Sequence, residues 1–275
     1  MSLIKRLKLI ALVVVFATKA LAASAAGTDL DIRVGVYNFP PIAGFSDNNK
    51  VEGLLADTLT HLDEAHPEVS FEVIHTSPKR RYLDFRAGLY DVIFFESPDW
   101  GWETLAHEAT IPILTDEELF VALRKPDRDL SFFDDLSQRR IVAISGYHYG
   151  FADFETNNAE LEKRFNIEFS DSHQRNIDLI KADRPSVADV AMVSRSYLQQ
   201  HLERHPEDWN TFLLSDQPDQ VYRLAIITRK GGPVDASDMI RLFQPLMSDG
   251  TYRMLVEKWG LQLPPGFLTG FPYLP

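Results

Sequence analysis

No cysteine occurs among the 275 residues. That absence excludes disulfides, thiol catalysis, iron–sulfur clusters and cysteine-ligated zinc. It also excludes a lipid on an N-terminal cysteine, so the chain is expected to be free in its compartment and not tethered. Beyond residue 25 there is no apolar run near the ~20 residues that cross a bilayer as a helix. Basic charge is scarce: 28 Lys and Arg stand against 40 Asp and Glu, a formal net charge of −12. A surface of that sign repels nucleic acid, and no basic stripe offsets it. The acidity serves solubility first, and overall charge does not by itself establish a cation site. Internal repeats and low-complexity linkers are absent too.

What is present begins with a segment unlike the rest. Lys5, Arg6 and Lys8 precede an apolar run from Leu9 to Ala17, followed by Ala20-Leu21-Ala22 and Ala23-Ser24-Ala25. A basic head, a short apolar middle and small residues at the end form a secretory signal peptide over residues 1–25, cleaved after Ala22 or Ala25. The apolar run is too short to be a membrane anchor. The mature chain is therefore expected in the periplasm, as a soluble monomer.

Its pattern is α/β. Ile32 to Tyr37 reads as a buried strand that ends at the turn NFPP. Gly53 to Ala65 carries Leu54, Leu55, Leu59 and Leu62 at helical spacing. Phe71 to His75 is a strand, Pro78 to Arg86 a helix, and Tyr90 to Phe95 a strand. A second unit follows, with strands at Leu119–Leu123, Ile141–Ile144, Ile167–Phe169 and Val187–Val193. Its helices are expected at 132–136, 151–164, 174–181 and 194–205. Helices at 236–247 and 250–259 precede a proline-rich tail. Strands alternating with helices predict parallel sheets covered by helices.

The order of these pieces resembles the periplasmic solute-binding proteins of amino-acid-type ABC transporters, bacterial extracellular solute-binding protein family 3. The resemblance runs from about Ile32 to Gly260. IRVGVYNFPP is similar to the family's first strand and aromatic-proline turn, and FRAGLYDVIF to the run that ends its first lobe's core. FFDDLSQRRIVAISG resembles the segment opening the second lobe, VADVAMV its Asp-Ala strand, and DGTYRMLVEKWG its C-terminal helix. The resemblance implies a two-lobe periplasmic binding protein fold (type II) with a ligand cleft between lobes and a hinge of crossing strands. Lobe 1 would be residues 28–115 plus 226–275, and lobe 2 residues 116–225. It implies periplasmic binding of a small polar solute by closure of the lobes, delivered to an ABC permease. A ligand-sensing subunit for a membrane signalling protein and a periplasmic dehydratase-like enzyme are the alternatives. No catalytic group, cofactor or metal site is expected.

Residues 94–103, FFESPDWGWE, lie at the carboxyl end of a first-lobe strand, where open parallel sheets place ligands. Phe95, Glu96, Trp100, Trp102 and Glu103 are candidates there. The family carries an arginine clamp for the ligand's carboxylate near the position of Glu103, so that clamp is inverted in this chain. Its second-lobe acid, five residues after the Asp of the Asp-Ala strand, is replaced by Ser194. Phe39 stands at the family's stacking aromatic, and Tyr147, His148 and Tyr149 follow Gly146 at a helix start. Arg81 matches a Pro-x-x-Arg that faces the cleft in some members. Rings with acids favour a cationic ligand, whereas an inward Arg81 favours a carboxylate-bearing, amino-acid-like one. His201 and His205, at i, i+4, lack an obvious third metal ligand.

Overall fold

The computed structural model describes residues 30–184 and 186–267. The expected signal segment and residues 268–275 of the tail lie outside the described residues. The first strand, β1 (Leu30–Val36), buries Ile32, Val34 and Val36. After it come a two-residue-stranded hairpin, β2 (Gly44–Phe45) and β3 (Val51–Glu52), and α1 (Leu54–Ala65). Next are β4 (Val69–His75), α2 (Arg81–Arg86), β5 (Val92–Glu96) and β6 (His107–Ala109). The long strand β7 (Leu114–Leu123) leads to β8 (Ile141–Ile144), α3 (Asn158–Arg164), β9 (Ile167–Ser170), α4 (His173–Lys181), β10 (Val190–Ser194) and α5 (Arg195–Arg204). The chain returns through β11 (Phe212–Leu214) and a second long strand, β12 (Gln220–Arg229), to α6 (Ala236–Ser248) and α7 (Thr251–Lys258).

Ten strands form one sheet, eight of them in the order β4-β1-β5-β12-β7-β10-β8-β9, with β6 on β12 and β11 on β7. β12 divides it into halves. Gln220 to Leu224 pair antiparallel with β7, whereas Ala225 to Thr228 pair with β5 and Ile227 to Arg229 with β6. In the first half β4, β1 and β5 are parallel, and in the second half β10, β8 and β9 are parallel. The expectation of uniformly parallel sheets is therefore corrected by β7 and β12. β7 and β12 pair antiparallel with each other and with their neighbours, because each carries the chain from one half to the other.

Several boundaries differ from expectation for local reasons. The helix expected over 151–164 starts only at Asn158, since Asp153 and Phe154 adopt positive φ and Asn157 caps the helix. The strand expected at 119–123 begins at Leu114. Buried Asp116 and Glu118 hide its alternation from a hydrophobicity reading. The strand expected from Val187 starts at Val190, the preceding residues forming a turn on the Arg184 and Arg140 carbonyls. The helical turn expected at 132–136 is two 3-10 turns, capped by Asp129 and Asp135.

The C-terminal helices return to the first half. The Trp259 indole and Lys258 ammonium both donate to Asp57 of α1 at 2.8 Å, and His66 lies 2.9 Å from the Leu242 carbonyl. Beneath α4 and α5 a separate apolar cluster holds Leu119, Val142, Ile177, Val193, Leu198 and Phe212.

Candidate ligand site

The halves meet where β1, β5 and β8 end. The strand β5 does not continue its alternation there. Phe95 has φ 62, and the pairing with β12 shifts between Ala225 and Ile226, so one extra β5 residue, Phe95, lies between the pairs Phe94–Ile226 and Glu96–Ala225. Such a bulge re-aims the residues beyond it. Phe94 packs on Phe243 and Phe95 on Phe94, both buried. Glu96 then turns inward, fully buried.

Glu96 organises the first-half wall. It accepts from the Tyr37 hydroxyl at 2.6 Å, from Arg81 Nε at 3.1 Å and from the Trp102 indole at 2.9 Å. Arg81 is 1% exposed. Its guanidinium also donates to the Pro78 carbonyl, lies 4.5 Å from the centre of the Tyr82 ring and 5.1 Å from that of Tyr37. Burial opposes its charge, but Glu96 and the surrounding tyrosines outweigh burial and hold the pKa above its ordinary value. Burial, then Glu96, pushes the Tyr37 phenol up.

His148 of the second half docks on this wall. Its ring stacks on Trp100 (centroids 5.9 Å apart, planes 9° apart) and its Nδ1 is 3.3 Å from Arg81. A guanidinium only donates, so Nδ1 is the bare acceptor and Nε2 carries the hydrogen. Nε2 lies 3.4 Å from the Tyr82 hydroxyl, which itself donates to the Trp100 carbonyl. Burial and the nearby Arg81 lower the His148 pKa to about 3, so the ring is neutral. Gln220 of β12 donates to the His148 carbonyl and accepts from the Trp100 indole at 3.3 Å. The Tyr147 hydroxyl donates across the halves to the Asn38 carbonyl at 2.8 Å.

Between these groups lies an inner cavity of about 10 Å³, lined by Tyr37, Phe39, Arg81, Trp100, Tyr147 and Tyr222, among others. That is room for roughly one water. Phe39 is its hub, with ring centres at 5.5 Å to Tyr147, 5.8 Å to Tyr222 and 6.0 Å to Trp100.

Of the sequence candidates, Phe39, Arg81, Trp100, Tyr147 and His148 come together around this cavity. Glu96 and Trp102 lie one layer behind, holding Arg81. Tyr149 is buried beneath, its hydroxyl accepting from the Ile144 amide. Phe95 packs into the core, and Ser194 sits under the second half near His173, 3.5 Å away. Glu103 is exposed on a 3-10 turn. Tyr37 and Tyr222 went unnoticed in the sequence. Tyr37 directly precedes the recognised NFPP turn, and Tyr222 lies on the strand that was missed. His201 is buried and 2.8 Å from Asp208, which also binds Lys181. Among the described residues no group of three or more His, Asp or Glu is placed to hold a metal, and no helix is long and apolar enough to cross a membrane.

β7 carries three acids in succession, and two face inward. Asp116 and Glu118 pair with Tyr222 and Gln220 of β12, and Glu118 also with Ser194 of β10. Paired residues share a sheet face, so Glu118 lies on the face that carries Gln220 and Tyr222 to the cavity. It is fully buried, one oxygen taking the Tyr222 hydroxyl and the other without a partner. Burial raises its pKa well above the carboxylate range. Burial likewise pushes Asp116 and Asp219 up to about 6, against the pull of their hydrogen bonds.

No family model and no curated protein matches the chain by sequence. Solved structures do match in shape. A substrate-binding protein of an ABC uptake transporter from Streptococcus pneumoniae, with bound histidine, is 17% identical over 83% of this chain and 92% of that one, TM-score 0.66. A histidine kinase sensor domain with similarity to periplasmic binding proteins is 15% identical over 86% and 99%, TM-score 0.66. A reconstructed ancestral amino-acid-binding protein, precursor of cyclohexadienyl dehydratase, is 16% identical over 83% and 94%, TM-score 0.61. The fold is the α/β two-lobe fold of periplasmic binding proteins, type II.

Proposed function

We propose that this chain is a periplasmic solute-binding protein of the family 3 type. It closes its lobes, 28–115 plus 226–275 and 116–225, on a small amino-acid-like solute and presents the closed form to an ABC permease. The observation that carries this reading is the inner cavity, whose rings and polar groups come from both halves and whose charged lining group is Arg81. Three of the five N–H donors of Arg81 are engaged, so the guanidinium retains donors for a carboxylate. A cation cage has less support. Glu96 is turned away onto Arg81, and Glu103 is exposed. The histidine-bound relative and the ancestral amino-acid binder point the same way.

A solute that touches both lobes stabilises the closed state by its differential affinity. Calorimetric titration of the mature chain with amino acids tests this: saturable binding without turnover is expected. Trp100→Ala should weaken binding at least tenfold, because it removes a ring that meets both halves. Undiminished binding by that variant would place the solute elsewhere, and turnover would favour the enzyme reading. The sensor reading rests on one observation, the kinase sensor domain matched over nearly its whole length.

A further inference from the structure

The inner cavity holds about one water, yet the halves border a second, half-open space of about 370 Å³. Tyr147 lines both. The outer pocket exists only while the halves touch. Two hydrogen bonds cross at its edges, from the Tyr147 hydroxyl to the Asn38 carbonyl at 2.8 Å and from the Gln200 amide to the Trp259 carbonyl at 3.1 Å. One wall is the hairpin at Gly44 and Phe45 with Trp259 after α7, and the other is Tyr147 with Tyr197 and Gln200 of α5. Small-molecule pockets run from ~300 Å³ upward, largely apolar with a few polar groups that orient the ligand. The charged lining groups, Glu52, Asp171 and Arg204, are all exposed and so sit at the rim. The interior therefore suits an uncharged body, and the faces on offer are rings.

We infer that the solute is an amino-acid-like molecule carrying an aromatic ring. Its ring occupies the outer pocket against Tyr197 and Trp259, and its carboxylate reaches Arg81 once Tyr147 swings aside. This rests on the proposed function and names the class of solute. The swing breaks the hydrogen bond to Asn38 and the ring contacts with Phe39 and His173, which contacts with the solute replace. A ligand in a pocket that both halves build favours closure directly.

The test is calorimetric titration of the mature protein with alanine, phenylalanine, tyrosine and tryptophan, repeated on Tyr197→Ala and Gly44→Leu. Gly44 lines the pocket and a Cβ added there meets no atom within 4 Å, so the position accepts a side chain beside the ring's place. The wild type is expected to bind a ring-bearing amino acid at least tenfold more tightly than alanine. Both variants should lose that preference while their alanine affinity stays within about twofold. Equal affinity for alanine and the ring-bearing amino acids, or an unchanged preference in both variants, overturns the inference and leaves the proposed function standing. If the wild type binds none of the four, while other amino acids do bind, the inference fails alone. If no amino acid binds, the proposed function fails with it.

Discussion

Glu96 shows how a single residue can be visible in a sequence while its role is hidden. An acid among aromatics after a strand reads as a ligand contact. The bulge at Phe95 turns it instead onto Arg81, Tyr37 and Trp102. Strand alternation cannot show that turn, because the positive φ belongs to a phenylalanine and no glycine advertises it. The pair is structural. Glu96→Ala leaves a buried guanidinium without its counter-ion, a change that costs about 3–5 kcal/mol. Urea unfolding should show that loss, and a change below ~1 kcal/mol would mean the pair is not buried as described.

Glu118 gives a second prediction at this scale. Its folded pKa is raised by burial, so the folded state holds its proton more tightly than the unfolded one. Its contribution is best below the unfolded value near 4 and worsens as pH rises. Asp116 and Asp219, pushed up to about 6, act in the same sense. His148 and His173, lowered to about 3 and about 4, oppose them by losing stability as pH falls below 6.5. The two sets act in opposite directions, so the difference between variant and wild type is what isolates the acid. Glu118→Gln should raise Tm relative to wild type by an amount that grows from pH 5 to pH 8. A constant difference across that range would contradict the assignment.

Among elements, α1 was legible because it buries one face at helical spacing, and β1 and the parallel core strands β8 and β10 because each is a short, mostly apolar run. β12 was not. Its first part pairs with β7 and its second with β5 and β6, so Val221 is exposed while Ala225 to Thr228 are buried continuously. No single period describes such a strand. Helix α6 illustrates the opposite case, with Asp235 and Asp238 forming a capping box at its start. Asp235→Ala should cost about 1 kcal/mol and lower Tm by a few degrees. Solute affinity should be unchanged, since the cap is remote from both cavities. Thermal unfolding with and without solute checks both halves of that statement.

For the whole molecule, the proposed function makes closure of one half on the other the event that binding drives, and Gly146 lies at the contact between them. Its φ is +85, and an added Cβ would lie 2.8 Å from Lys79 and 3.1 Å from Pro78 of the opposite half. Gly146→Ala should hold the lobes apart, visible as a larger radius of gyration in X-ray scattering and as weaker binding. An unchanged radius would mean that the closed contact is not as tight as described. The two-lobe architecture could be read from the order of short motifs along the chain. The solute could not, because the cavities depend on how Tyr147 and His148 of one half fit the other.

The most direct measurement is thermal unfolding of residues 26–275 against amino acids, amines, organic acids and sugars. A solute that binds only the folded form adds about 2.7 kcal/mol of stability at one hundred times its dissociation constant. The account predicts that amino acids raise the midpoint. A shift with polyamines or sugars, and none with any amino acid, would contradict it.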